Sequence, residues 1–240
     1  DRLPADRHSP ILDAMRLARG FLASADMPFD ERYRSYMAVF PDDTAESLLH
    51  EPAAREFDAL GEAFRTATSG DEINRMLTVD AATQLPDDLL LLTDRMSMAV
   101  SLECRVPLLD HELVALAARI PERIKVRDGR LKHVMKEALS DLLPRDILER
   151  KKRGFGAPMG AWLKRELAPV MKDVLSAEAI ERRGLFRAAP VAELIAAHEA
   201  NRVDGTDRLL ALLNFEIWAR IYLDGREPSD VTDELKAAVV

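Results

Sequence analysis

Residues 206–223 read TDRLLALLNFEIWARIYL, and this stretch decides the fold class. Leu209, Leu210, Leu213, Phe215, Ile217, Trp218 and Ile221 recur at the spacing of helical turns, over a length that few strands reach. Apolar residues occupy much of the circumference, which predicts a helix packed inside the molecule.

Working back from it, helices are predicted over about 190–201 and, in short pieces, from Met159 to Arg182. Leu131, Val134, Met135, Ala138, Leu139 and Leu142 mark the apolar face of another, after a turn at Arg127-Asp128-Gly129 and before Pro144. Asp110 caps a helix that runs to Ile120, where Pro121 stops it. Pro107 forces Val106 away from helical angles, so Glu103 to Leu109 is an extended connection. Upstream, Pro86, Asp87 and Asp88 start a helix that runs to about Leu102, and another spans about Asp71 to Thr83.

Glu31 to about Phe40 reads as a further helix. Ile11, Leu12, Met15, Leu17, Ala18, Phe21 and Leu22 mark an amphipathic stretch with one buried face. No run alternates with a period of two and no repeat is present, so the fold class is all-α. Three divisions follow: a helical segment 1–70 without visible chemistry, a helical part 71–224 that carries the charged motifs, and a polar tail 225–240 that should fray.

The 240 residues are 48% hydrophobic and 32% charged, enough for a packed core, with a formal net charge of -8. That charge argues against nucleic acid, whose binding runs on basic surface. No apolar run is long enough to span a membrane, since Asp94 and Arg95 closely follow Leu89 to Leu92. One cysteine, Cys104, allows no internal disulfide, and no Cys/His cluster has metal-ligand spacing, so a reducing, cytoplasmic setting is expected. The chain starts at Asp1 without a signal peptide, and the expectation is a piece cut from a longer protein. An apolar face bared by such a cut would favour self-association into a homo-oligomer.

Two segments combine charge with backbone constraint. In Asp94 to Asp110, charged residues interrupt an apolar stretch, and buried charge must be paired. Asp94, Met98 and Ser101 would share a helical face, and Glu103 would point the same way as Arg105. The residues fit either a buried network that sets the local fold, in which loss of Glu103 costs roughly 3 to 5 kcal/mol, or the lining of a substrate pocket. Cys104 reads as a small core residue. His50, His111, His133 and His198 form no recognisable catalytic triad.

The second segment is Arg150-Lys151-Lys152-Arg153-Gly154-Phe155-Gly156-Ala157-Pro158, a loop because two glycines and a proline fall so close together. Its lysines could stabilise charge developing on a phosphoryl or carboxyl oxygen. The plainer alternative is a solvated connector with Phe155 as its apolar peg.

Together the segments resemble the signature of the asparagine synthetase (glutamine-hydrolysing) family. Asp94-Arg95, Ser97-Met98-Ala99, Ser101-Leu102-Glu103, Arg105, Pro107 and Leu109-Asp110 follow its pattern, as do Leu85-Pro86-Asp87-Asp88-Leu89-Leu90 and Lys152, Gly154, Phe155, Pro158 and Trp162. His198, Gly205, Asp207, Leu209, Leu213-Asn214-Phe215-Glu216, Trp218, Arg220 and Tyr222 resemble the closing motif of its bacterial members. The resemblance covers about Asp71 to Asp224 and only weakly the start.

It implies the helical C-terminal portion of an adenine nucleotide α-hydrolase-like (PP-loop ATPase) synthetase domain, without the parallel-sheet nucleotide-binding core. In that family a glutaminase releases ammonia. The synthetase domain adenylates aspartate or a related carboxylate with ATP and Mg, and ammonia then displaces AMP. The resemblance implies that Lys152 stabilises negative charge at the reacting centre and that Asp94, Arg95, Ser97, Glu103, Arg105 and Asp110 bind substrate or shape its pocket. It places Lys151, Gly154 and Phe155 near the phosphates.

The family's Ser-Gly-Gly-x-Asp-Ser loop, its Gly-Glu-Gly-x-Asp-Glu segment and its N-terminal cysteine nucleophile do not occur here. No tight binding of ATP or Mg, and no catalysis, is therefore expected of these residues alone. Gln84 stands where the family often has tyrosine, and Leu92 where it often has lysine. Those departures leave room for another carboxylate acceptor, for ring closure of the β-lactam synthetase kind, or for a non-catalytic helical interaction module.

Overall fold

The computed structural model of the chain describes residues 18, 21–22, 24–51, 58–68, 70–150 and 157–238. Among them the regular structure is helical, and β pairing is confined to two isolated bridges, Leu49 with Phe186 and Arg127 with Arg130. The all-α expectation holds. Most of the amphipathic stretch expected over 11–22 lies outside the described residues. The chain divides into two units, residues 28–34 with 55–154, and residues 1–27, 35–54 and 155–240.

In the unit formed by 28–34 and 55–154, short acidic side chains start the helices. Asp58 accepts a hydrogen bond from the Gly61 N–H at 3.0 Å ahead of helix Ala59–Thr66, and Asp71 accepts one from the Asn74 N–H at 2.7 Å ahead of helix Glu72–Ala82. The small core gathers around Phe64, which meets Tyr33 edge-on with centroids 5.2 Å apart and Phe29 edge-on at 5.9 Å. The Tyr33 hydroxyl bonds to Asp80, and burial together with that carboxylate pushes the phenol well above its ordinary value.

Buried Asn74 ties two further segments together. Its amide nitrogen donates to Asp71 at 2.8 Å and to the Ile120 carbonyl at 3.1 Å, while its amide oxygen accepts from Lys125. From Asp80 to Arg150, by contrast, no residue is fully buried. Leu89, Leu92, Met96, Val100, Leu102, Leu108, Leu131 and Leu142 are each more than half exposed.

The unit formed by 1–27, 35–54 and 155–240 holds the larger core. Leu48, Leu163, Met171, Val174, Ile180, Val191, Leu209 and Leu212 pack together, from helices Asp42–Leu48, Met159–Lys164, Ala168–Val174, Ala177–Arg183, Ala188–Glu199 and Thr206–Tyr222. A short backbone seam joins its distant parts: the His50 N–H donates to the Leu185 carbonyl at 3.1 Å, and the Arg187 N–H donates to the Leu48 carbonyl at 2.8 Å.

Two sequence expectations change here. Helix Thr206–Tyr222 is not apolar around its buried circumference, because Glu216 and Arg220 are buried while Trp218 and Tyr222 are exposed. The polar pair is inside because it has partners there. Glu216 accepts from Arg183 Nε at 3.0 Å and from Arg220 Nε at 3.2 Å, and Arg220 Nη1 donates to Glu234 at 2.8 Å. Phe215, Trp218 and Tyr222 instead form a tilted ladder with centroids about 6 Å apart.

The described part of the tail is also helical. Helix Pro228–Ala237 starts at a proline, buries Val231 and supplies Glu234 to the ion-pair network. Composition alone pointed to fraying there, but one buried valine and a fixed carboxylate hold the segment.

Candidate functional site

The chemistry-bearing segment begins with a π-helical turn at Leu85–Leu90 that opens on Pro86 and continues directly into helix Leu91–Met98. The Thr93 hydroxyl bonds back to the Leu89 carbonyl at 2.7 Å across that junction. The helix closes where Ser101 adopts left-handed backbone angles, at φ 58°. The Ser101 N–H returns to the Met98 carbonyl at 3.0 Å and the Leu102 N–H to the Ser97 carbonyl at 2.9 Å, the paired bonds of a Schellman end. Serine in this conformation carries roughly 1–2 kcal/mol of strain, so the closing bonds offset a cost that glycine would avoid.

After the extended Leu102 to Val106, Pro107–Leu109 forms one tight turn, and Asp110 opens helix His111–Arg119. The Asp110 carboxylate accepts from the N–H groups of Glu112 at 3.0 Å and Leu113 at 3.2 Å. Among the candidate residues, Asp110 therefore has a structural duty of its own.

Asp94 and Arg95 are exposed on helix Leu91–Met98, and the half-buried Ser97 donates its hydroxyl to the Asp94 carbonyl at 3.2 Å. Glu103 and Arg105 pair at 2.8 Å, as their same-side placement predicts, but their side chains are 68% and 83% exposed. The expected buried network is therefore not formed, and Cys104 is exposed rather than in a core. Ser101, lying beyond the helix end, does not share a helical face with Asp94 and Met98. An apolar stretch with interspersed charge does not specify what, if anything, covers it. With the pair solvated, Glu103→Ala should leave stability within about 0.5 kcal/mol of the parent chain in urea unfolding. A loss several times larger would show that the pair is covered in solution.

Lys151, Lys152, Gly154 and Phe155 lie outside the described residues. Of the nearby cations, Arg145 is held by Glu149 at 2.9 Å, which raises its pKa. The first helix after the basic stretch, Met159–Lys164, is anchored within its own unit. Leu163 enters the core and Lys164 bonds to Asn201. Gly160 lies so close to Thr206 that an added Cβ would sit 2.6 Å from its hydroxyl and force that side chain to shift.

A buried residue to which the sequence assigned no role beyond the closing motif completes this anchor. His198, 1% exposed, places Nε2 3.3 Å from the Gly160 carbonyl and accepts the Gly205 N–H on Nδ1 at 3.2 Å. The closing motif, which sets Gly205 seven residues after His198, was the available signal.

Among the described residues no group of three or more His, Cys, Asp or Glu side chains is placed to hold a metal ion. None of their helices is long and apolar enough to cross a membrane. A groove of about 220 Å³ beside Leu48, Leu194, Val203 and Arg208 is smaller than ordinary ligand pockets.

The model of the asparagine synthase family matches residues 3–220. Asparagine synthetase (glutamine-hydrolyzing) 1 of Bacillus subtilis is 29% identical over 215 residues, which are 88% of this chain and 34% of that protein. Asparagine synthetase (glutamine-hydrolyzing) 3 of the same organism is 50% identical over 62 residues, 26% of this chain and 10% of that protein. The Rattus norvegicus asparagine synthetase is 39% identical over 69 residues, 28% of this chain and 12% of that protein. The chain thus spans about a third of the length of the curated relatives that it matches most extensively. No solved structure matches it.

Proposed function

Because the chain belongs to the asparagine synthase family, we propose that it is the helical C-terminal part of a glutamine-dependent, ATP-consuming amide-forming ligase, with aspartate as the acceptor. The family match over 3–220 carries this reading. In it the Asp94 to Asp110 segment borders the acceptor, Asp94, Arg95, Ser97, Glu103 and Arg105 contact substrate or shape its pocket, and Lys152 stabilises negative charge on the phosphates and at the reacting carbon. Lys151, Gly154 and Phe155 neighbour that phosphate region.

The exposed Asp94, Arg95, Glu103 and Arg105, set among exposed Leu91, Leu92, Met96 and Met98, support this assignment over a purely internal role. Charged and apolar groups displayed together suit a surface that meets a ligand or further protein.

In this reading the described residues do not hold ATP and Mg by themselves. No metal-binding cluster is present among them, and the sequence contains no Ser-Gly-Gly-x-Asp-Ser loop to cradle pyrophosphate. In this reading adenylation and glutamine hydrolysis need sequence beyond these 240 residues, which alone are inactive, and the setting is the cytoplasm. A second reading keeps the reaction and changes the acceptor. Leu92 is exposed where the family often carries lysine, and an uncharged side chain there suits a carboxylate acceptor other than free aspartate.

The test measures pyrophosphate release by this chain and by the longer protein containing it, each given ATP, Mg, aspartate and ammonia, beside an aspartate-free control. Ammonia bypasses the glutaminase. Aspartate-dependent release by the longer protein alone is the expected result. Release by the 240 residues would overturn the assignment of the nucleotide site to other sequence. Silence from both would remove aspartate as acceptor and turn the question to another carboxylate or a non-catalytic helical module.

A further inference from the structure

The buried imidazole of His198 joins two backbone segments and is used by neither the fold's apolar core nor the proposed reaction. Because Nδ1 accepts the Gly205 N–H, the neutral ring must carry its proton on Nε2, which can then donate to the Gly160 carbonyl. One tautomer satisfies both neighbours. A second proton, placed on Nδ1, would face the Gly205 N–H and turn an attraction into a donor–donor clash.

Space around the ring is short. Thr206 crowds Gly160, and an added Cβ at Gly205 would lie 3.1 Å from Leu194 and 3.4 Å from His198. At 1% exposed, the ring is enclosed and has little freedom to turn away. The charged groups that act on it are Lys164, from helix Met159–Lys164, and Asp204, from the turn ahead of helix Thr206–Tyr222. Asp204 is itself engaged, accepting from the Thr206 hydroxyl at 2.7 Å.

We propose that His198 is an acid-operated latch: neutral, it fastens helix Met159–Lys164 to the turn before helix Thr206–Tyr222, and protonated it releases that connection. Helix Met159–Lys164 is the first helix after the basic stretch Arg150–Arg153, so the latch governs the anchoring of the element that follows those cations. This inference rests on the fold alone and is independent of the family's reaction.

The direction of the response follows from the environment. Burial first, and the charge of Lys164 next, lower the pKa of His198 below the ordinary imidazole value of 6.5, against the opposing pull of the Gly160 and Val203 carbonyls and of Asp204. The opened form binds the proton more readily than the closed one. The latch is at full strength above pH 6.5 and weakens as pH falls through and below that value.

Amide hydrogen exchange on the 240-residue chain at pH 7.5, 6.5 and 5.5, corrected for intrinsic rates, tests the latch without any substitution. Protection of Ala161, Trp162 and Leu163, relative to Leu212 and Leu213, should fall by up to about tenfold per pH unit below 6.5. In His198→Gln, whose amide can still donate to Gly160 but does not titrate, that acid dependence should disappear. An unchanged protection ratio in the parent chain would overturn the latch, as would the same acid dependence persisting in the glutamine variant.

Discussion

Replacing Glu216 with alanine should lower the stability of its unit by about 3 to 5 kcal/mol, the cost of stranding buried charge. The side chain is 3% exposed and accepts from Arg183 Nε at 3.0 Å, Arg183 Nη2 at 3.3 Å and Arg220 Nε at 3.2 Å. Its removal leaves Arg220, 4% exposed, with one carboxylate, Glu234 at 2.8 Å, in place of two. A guanidinium cannot relieve this by losing its proton. Arg183 is less affected, because Asp224 holds it through two bonds of 2.8 Å. Urea unfolding with an unchanged slope should report the loss as a shift in midpoint. Glu216→Gln, which keeps an acceptor but not the charge, should fall between alanine and the parent chain. A loss below about 1 kcal/mol in the alanine variant would mean that water reaches these groups.

The largest effect on activity is expected from Lys152→Ala in the longer protein, where amide formation should fall by about 100- to 1000-fold, the usual cost of removing one transition-state charge stabiliser. The neighbouring Lys151→Ala should cost far less, since the family pattern matches Lys152 and not its neighbour. Thermal unfolding of both variants should track the unsubstituted protein, because the proposed role lies at the reacting atoms and not in a core. Lys152→Arg should restore only part of the rate, since a planar fork replaces a compact point charge. Full activity in Lys152→Ala would remove the lysine from the mechanism.

Local chemistry made much of the fold readable. The helix expected to run up to Pro144 ends early, at Ala138, but Asp71 and Asp110 cap the helices predicted to follow them, Pro121 stands where a helix stops, and Pro107 sets the extended approach to the next one. Each of these rests on a residue and its immediate neighbours. Non-local partners were not readable in the same way. Glu216 and Arg220 look like an outward-facing pair until Arg183 and Glu234 are brought to them, and His198 looks idle until Gly160 and Gly205 close around it.

The candidate site shows the same divide. The Glu103–Arg105 pairing followed from an extended backbone, while its exposure depended on what surrounds the segment, which periodicity does not encode. The roles proposed for Lys152 and its neighbours come from the family pattern, and those residues lie outside the described part of the chain.

The seam between residues 48–50 and 185–187 also orders events during synthesis. His50 and Arg187, which it brings together through the Arg187 side chain and the His50 carbonyl, are 137 residues apart. At about 5 to 20 residues per second, a ribosome needs roughly 7 to 27 seconds to make that much chain. During this interval Leu48 has emerged, or is emerging, before the helices that bury it exist. For a nascent chain, the stretch around Leu48 is thus uncovered apolar surface first and a piece of the core second.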